Sequence, residues 1–113
     1  MTEEAVLARA SLLAEIERLS PHDNEAGRRA EILVKHDQLR VTLVTMRSGI
    51  ELDEHSTSVP ITIHVLQGRF DVTFQGGSST LQAGEFIALR EHVAHSLRAI
   101  EDGAFLLTLG WDS

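Results

Sequence analysis

The sequence contains no cysteine among its 113 residues. It can therefore form no disulfide, offers no thiolate nucleophile and supplies no cysteine-ligated zinc site, so any metal would have to rely on His, Asp or Glu. Aromatic residues make up only 4% of the chain, whereas the apolar share is 42%. A core must therefore be built mainly from Leu, Ile, Val and Ala, and at this length we expect one compact domain.

Basic residues are also scarce, because ten Lys and Arg stand against seventeen Asp and Glu, a formal net charge of −7. That charge repels phosphate backbones, so we expect no nucleic-acid partner. No stretch approaches the roughly 18 apolar residues that span a bilayer. The opening Met1-Thr-Glu-Glu lacks the basic region of a secretory signal. We therefore expect no membrane association and a cytoplasmic location.

Residues 3–19 have the pattern of an amphipathic helix. Apolar residues recur there near helical spacing, at Val6, Ala10, Leu13, Ile16 and Leu19. The pair Ser20-Pro21 ends the helix, and a polar, turn-rich stretch follows it. We predict that residues 1–28 form an N-terminal helix and linker, and that residues 29–113 form the single main domain. The apolar stripe must pack on that domain, on a second subunit or on another protein.

From residue 29 onward, short β-like stretches alternate with turn residues. The predicted strands are 30–36, 39–47, 60–67, 69–75, 79–82, 85–89, 95–100 and 104–110. No second helix interrupts them, which argues against βαβ units and for an antiparallel all-β fold. The edges of such a sheet need cover, and Trp111 beside the apolar C-terminal strand would suit an interface between subunits.

The stretch from Gly49 to Gly68 resembles the first motif of the cupins, a superfamily of small jelly-roll barrel proteins. That motif runs Gly, five residues, His, one residue, His, three or four residues, Glu, six residues, Gly. In this chain His55 stands at the first His, Thr57 at the second and Ile61 at the Glu, and the spacing needs no gap.

A later stretch, residues 84–99, resembles the second cupin motif, which runs Gly, five residues, Pro, one residue, Gly, two residues, His, three residues, Asn. Gly84 and His95 are retained, whereas Arg90, His92 and Ala99 stand where Pro, Gly and Asn would be. The resemblance covers residues 39–109. It implies an all-β, RmlC-like double-stranded β-helix, or jelly-roll barrel, with its site in the barrel mouth and a homodimeric assembly.

The resemblance also implies what the site has lost. In the complete motif three imidazoles and one carboxylate hold a divalent metal. This chain keeps His55 and His95, while Thr57 is a poor ligand and Ile61 is none. Two neutral imidazoles alone would bind Zn, Ni, Fe, Cu or Mn only weakly.

Two further residues could complete a metal site. Asp53 would share the face of His55 if a strand extends that far. His92 lies three residues before His95, at a position where the motif has Gly, which suggests a positive φ. Alternation along the strand instead turns His64 away from the barrel interior.

Three functions remain open at this point. The first is a cupin that binds a small molecule in its barrel through His55, Thr57, Ile61, Arg90 and His95, with a depleted or absent metal site. The second is a metal-dependent enzyme of the oxygenase or isomerase type that uses His55 and His95. The third is a dimeric interaction module whose N-terminal helix binds another protein.

Overall fold

The computed structural model describes residues 5–110, which form two antiparallel sheets and one short helix. The elements in chain order are α1 (Leu12–Arg18), β1 (Arg28–His36), β2 (Leu39–Met46), β3 (Glu51–His55), β4 (Ile61–Gln67), β5 (Arg69–Phe74), β6 (Gly77–Gln82), β7 (Phe86–Leu89), β8 (His95–Ala99) and β9 (Gly103–Gly110). The first sheet has the order β1-β2-β9-β4-β7 and the second the order β3-β8-β5-β6. The predicted antiparallel all-β architecture is confirmed.

Strand β3 is absent from the sequence-based prediction, whereas the eight predicted strands are found with shifted ends. Four of its five residues are polar and exposed, and only Leu52 is partly buried. Such a stretch lacks the apolar alternation by which strands are recognised in a sequence. This strand nevertheless carries one of the two retained histidines.

The core lies between the two sheets. Alternation along β4 buries Ile61, Ile63 and Val65 and leaves His64 exposed, as predicted. Phe70 of β5 and Phe105 of β9 meet edge to face across the core, with ring centroids 5.3 Å apart.

The N-terminal helix is shorter than the predicted 3–19, because α1 spans only Leu12–Arg18. Ser11 caps it: its backbone is extended, at φ −88° and ψ 113°, and its hydroxyl accepts the Ala14 N–H at 3.3 Å. Residues 5–10 precede the cap without forming α-helix. Residues 3 and 4, like Trp111, lie outside the described residues. No helix in residues 5–110 is long and apolar enough to cross a membrane.

Helix α1 packs on the outer face of the first sheet, but only some of the apolar residues that were expected to face the sheet do so. Leu19, just after the helix, is buried against Leu43 and Ala104, and Ile16 packs beside it. Leu13 remains 69% exposed. The division between an N-terminal segment and a main domain at residues 28 and 29 stays a prediction.

The linker after α1 is held to the barrel by Asp102. His22 Nε2 lies 2.6 Å from Asp102 Oδ2, and the Ser48 backbone N–H donates to Asp102 Oδ1 at 2.8 Å. The Ser48 hydrogen bond, followed by the His22 contact, lowers the pKa of the Asp102 carboxyl. A carboxyl with a lowered folded-state pKa stabilises the protein above its unfolded pKa of about 3.9. That stabilisation is lost as the pH falls through the folded value.

The packing of α1 predicts different costs for two leucines of the same segment. Leu19→Ala should lower the free energy of unfolding by about 2–4 kcal/mol, because it removes a buried side chain. Leu13→Ala, the matched control, should change it by less than about 0.5 kcal/mol. Urea denaturation of the two variants measures the difference, and equal effects would contradict the docking of α1 on the sheet.

Candidate functional site

The structure brings His55 and His95 together across neighbouring strands. They are directly paired, His55 at the end of β3 and His95 at the start of β8. Their ring centroids are 4.3 Å apart and the ring planes are inclined by 61°. His95 is 3% exposed, whereas His55 is exposed. The pair therefore places one imidazole in the barrel interior and the other at its rim.

An irregularity in β3 sets the orientation of His55. Leu52 pairs with Leu97 and His55 with His95, so two residues of β3 oppose only one residue of β8. Such a bulge reverses the alternation of side chains. Leu52 and His55 therefore line the same cavity, although they are three residues apart. The strand does extend to Asp53, but the bulge turns Leu52, and not Asp53, to the face of His55.

Both imidazoles are held by backbone carbonyls two residues earlier. His55 Nδ1 lies 3.0 Å from the Asp53 carbonyl oxygen, and His95 Nδ1 lies 3.0 Å from that of Val93. A carbonyl oxygen can only accept, so each Nδ1 carries the hydrogen and the neutral ring keeps its lone pair on Nε2. Hydrogen bonds of this kind orient imidazoles that present Nε2 to a metal or a ligand. No hydrogen bond from residues 5–110 engages either Nε2.

The cavity beside the two imidazoles is small and apolar. Its volume is about 50 Å³, enough for a few water molecules and far below the roughly 300–1,000 Å³ of common small-molecule sites. Its other lining residues are apolar: Val44, Leu52, Ile63, Leu97, Phe105 and Leu107. A larger ligand would therefore meet the imidazoles from the open side of His55.

Three other motif positions, Thr57, Ile61 and His92, contribute no further metal ligand beside the two imidazoles. The Thr57 hydroxyl donates to the Val59 carbonyl at 2.7 Å, and Ile61 is buried in the core at 2% exposure. His92 is exposed, and its φ of 64° confirms the positive φ expected at the motif's Gly. Its backbone N–H donates to the Thr57 carbonyl at 2.7 Å.

The donor set therefore does not fit the four-ligand metal centre of the complete motif. In residues 5–110, no group of three or more His, Cys, Asp or Glu side chains is placed to hold a metal ion. Two imidazole nitrogens are available and no carboxylate oxygen accompanies them. Binding to such a pair would leave most of the coordination shell to solvent or to an added ligand.

A larger cavity, which we call the mouth cavity, lies beside the loop between β3 and β4 and the end of β9. It measures about 480 Å³ and is lined by Thr57, Ser58, Val59 and Leu109. The predicted contact Arg90 is exposed just after β7 and forms no ion pair with the described residues. Arg40, the cross-strand partner of Leu109, is not among the site residues predicted from the sequence. No pattern in the sequence distinguishes it from the other arginines.

No protein-family model matches the chain, and no curated protein matches it in sequence. Solved structures match it in fold. A cupin superfamily protein from Desulfitobacterium hafniense has a TM-score of 0.74 at 18% identity, over 79% of this chain and 82% of that one. An RmlC-like cupin from Shewanella frigidimarina has a TM-score of 0.72 at 23% identity, over 78% and 79%.

A third solved structure matches nearly the whole chain. It is a cupin-2 domain containing protein from Shewanella frigidimarina, with a TM-score of 0.73 at 16% identity, covering 97% of this chain and all of that one. Identities this low carry the fold and not the chemistry of the site.

The missing ligands predict a gain of metal binding by substitution. Thr57→His with Ile61→Glu should raise the affinity for Zn²⁺ by about 100-fold or more, which corresponds to about 2.8 kcal/mol. Thr57→His alone should give a smaller gain, because it adds an imidazole without burying a carboxylate. Isothermal titration with ZnCl₂ measures both.

The control for this prediction is the same double substitution combined with His55→Asn and His95→Asn, which should abolish the gain. If the double substitution folds and binds Zn²⁺ no better than the wild type, positions 57 and 61 do not share a site with the imidazoles.

Proposed function

The chain has the cupin fold, and on that premise we propose that it binds a small molecule at the mouth of its barrel. In this proposal His55 and His95 present their Nε2 atoms to the ligand, and the metal centre of the complete motif is depleted. The observation that carries the proposal is the pair of hydrogen bonds from Nδ1 to the carbonyls of Asp53 and Val93, each 3.0 Å long. With Nδ1 so engaged, neither Nε2 atom forms a hydrogen bond with residues 5–110, and both histidines line an apolar cavity.

The other predicted ligand contacts, Thr57, Ile61 and Arg90, would contribute less to binding than the two imidazoles. Ile61 belongs to the apolar wall, and Thr57 lines the mouth cavity while its hydroxyl is bonded within its own loop. Arg90 is exposed and would meet only a ligand that extends beyond the rim. Most of the discrimination would therefore come from the two imidazoles and the shape of the mouth.

The alternative is a metal-dependent enzyme of the oxygenase or isomerase type that uses the same imidazoles. The hydrogen bonds at Nδ1 favour it, since metal-ligating histidines are commonly oriented in this way. The buried Ile61 at the carboxylate position opposes it, because a hydrocarbon neither balances the charge of a cation nor coordinates it. A wild-type dissociation constant for Zn²⁺ or Ni²⁺ well below about 1 µM would favour the enzyme.

The proposed function predicts that small ligands perturb the two imidazoles. In a panel of four-carbon acids, amides and alcohols at millimolar concentration, at least one class should shift the Hε1 and Nε2 resonances of His55 and His95. The exposed His64 on the outer face is the control and should not respond. The variant with both His55→Asn and His95→Asn should bind the active class more weakly.

A panel that leaves the resonances of His55 and His95 unmoved would contradict the proposal. So would a response of equal size at His64, because it would indicate a general effect on histidines.

We also propose that the protein is a cytoplasmic homodimer and that residues 29–113 are its single barrel domain. The edge strands β1 and β7 of the first sheet carry exposed apolar side chains, Ile32 at 49% and Phe86 at 65%. Exposed edges of this kind favour pairing with another chain. The strongly acidic composition suits a freely diffusing protein.

The dimer predicts a mass twice that of one chain in sedimentation equilibrium. Ile32→Lys should shift the equilibrium towards monomer, because it places a charge on an apolar edge. Leu13→Lys on α1, also exposed, is the control and should leave the mass unchanged. A monomer at every protein concentration would contradict the assembly.

A further inference from the structure

We infer that the mouth of the barrel holds an anion-binding subsite, formed by Arg40 and Lys35, that takes the carboxylate of a small organic acid. The inference rests on the proposed function, since it names the class of ligand that the mouth binds. It comes from residues that neither sequence motif contains.

Arg40 projects towards the barrel interior. Its cross-strand partner is Leu109, which is also paired with Ile61. Directly paired residues of an antiparallel sheet share a face. Ile61 is buried in the core and Leu109 packs against it, so Arg40 continues this inward-facing row at the mouth end of β2.

The guanidinium of Arg40 is incompletely satisfied. Within residues 5–110, its Nε is the only buried side-chain nitrogen or oxygen without a hydrogen-bond partner. None of the ion pairs in this part of the chain includes Arg40. A buried N–H of a charged group is costly to leave unpaired, and an arriving acceptor would remove that cost.

A second cation stands directly beside the first. Lys35 of β1 is paired with Arg40 of β2, so both side chains leave the same face of the hairpin. Like charges in directly opposite positions destabilise a sheet. Lys35 also takes part in no ion pair with the described residues. Within residues 5–110 neither cation has a carboxylate partner. In a chain whose net charge is −7, this pair of cations favours a local site for an anion.

The cavity lined by Leu109, the cross-strand partner of Arg40, indicates which anion fits. Leu109 belongs to the same inward-facing row as Arg40. It also lines the mouth cavity of about 480 Å³, together with Val59. This volume lies within the range of small-ligand sites. An arginine fork matches a carboxylate, and the leucine and valine match a hydrocarbon body. A small monocarboxylic acid satisfies both.

The test compares butyrate with butyramide, which has the same shape without the charge. Titrations followed by NMR of the Arg40 Nε–Hε resonance and of the imidazoles should show binding of butyrate and at least about tenfold weaker binding of butyramide. Inorganic phosphate, which lacks a hydrocarbon body, should also bind more weakly than butyrate. Equal affinity for butyrate and butyramide, or tighter binding of phosphate, would overturn the assignment.

Two variants separate the subsite from a general effect of charge. Arg40→Gln should weaken butyrate binding at least about tenfold, whereas Arg98→Gln, an exposed arginine on β8 of the other sheet, should not change it. Without ligand, Arg40→Gln should be as stable as the wild type or more stable, because it removes a buried Nε–H that has no hydrogen-bond partner within residues 5–110. Arg40→Gln that loses stability and keeps butyrate affinity would show Arg40 to be structural and would overturn the inference.

The same titrations distinguish failure of the subsite from failure of the proposed function. If butyrate and butyramide shift His55 and His95 equally and Arg40→Gln has no effect, the proposed function stands and the anion subsite is overturned. If butyrate binds in an Arg40-dependent way and leaves both imidazoles unmoved, the subsite is supported and the role of the imidazoles is overturned.

Discussion

The candidate site depends on one extra residue in strand β3. Because two residues between Leu52 and His55 oppose a single residue of β8, both Leu52 and His55 face the interior, and His55 is paired with His95. A regular strand would leave Leu52 and His55 on opposite faces. The backbone carbonyls of Asp53 and Val93 then fix the two rings through Nδ1. Bulge, pairing and Nδ1 hydrogen bonds together produce two adjacent imidazoles, each with its lone pair on Nε2.

The side chains near the two imidazoles determine which ligand the Nε2 atoms could bind. Ile61 closes the interior with hydrocarbon where the complete motif has a carboxylate, and the cavity at the imidazoles is correspondingly small. Positive charge is found instead at Arg40 and Lys35, on the facing sheet. The acidic ligand is lost, and these two cations form no ion pair within residues 5–110, which is why the proposed ligand is a small anion and not a divalent metal.

Much of the fold could be predicted from the sequence, because alternation and glycine-rich turns are local signals. The outward direction of His64 followed from alternation and is confirmed. The positive φ of His92 followed from the resemblance, because the motif has Gly at that position, and is also confirmed. The direction of Asp53 could not be predicted, since a bulge depends on pairing with a distant strand. The start of α1 was predicted too early, because helical spacing of apolar residues continues before Ser11, whereas the helix begins only after Ser11, its N-cap. The inward direction of Arg40 could not be predicted either, because it follows from the register of three strands, β2, β9 and β4.

The tautomer of the two histidines is the most direct test of the central claim that both imidazoles present free Nε2 atoms to a depleted site. Long-range proton–nitrogen NMR spectra of the unliganded protein at pH 8.5 distinguish protonated from unprotonated ring nitrogens. The structure predicts a protonated Nδ1 and an unprotonated Nε2 in both His55 and His95, unlike the exposed His64, whose ring forms no hydrogen bond with residues 5–110. An unprotonated Nδ1 in either ring would contradict the account.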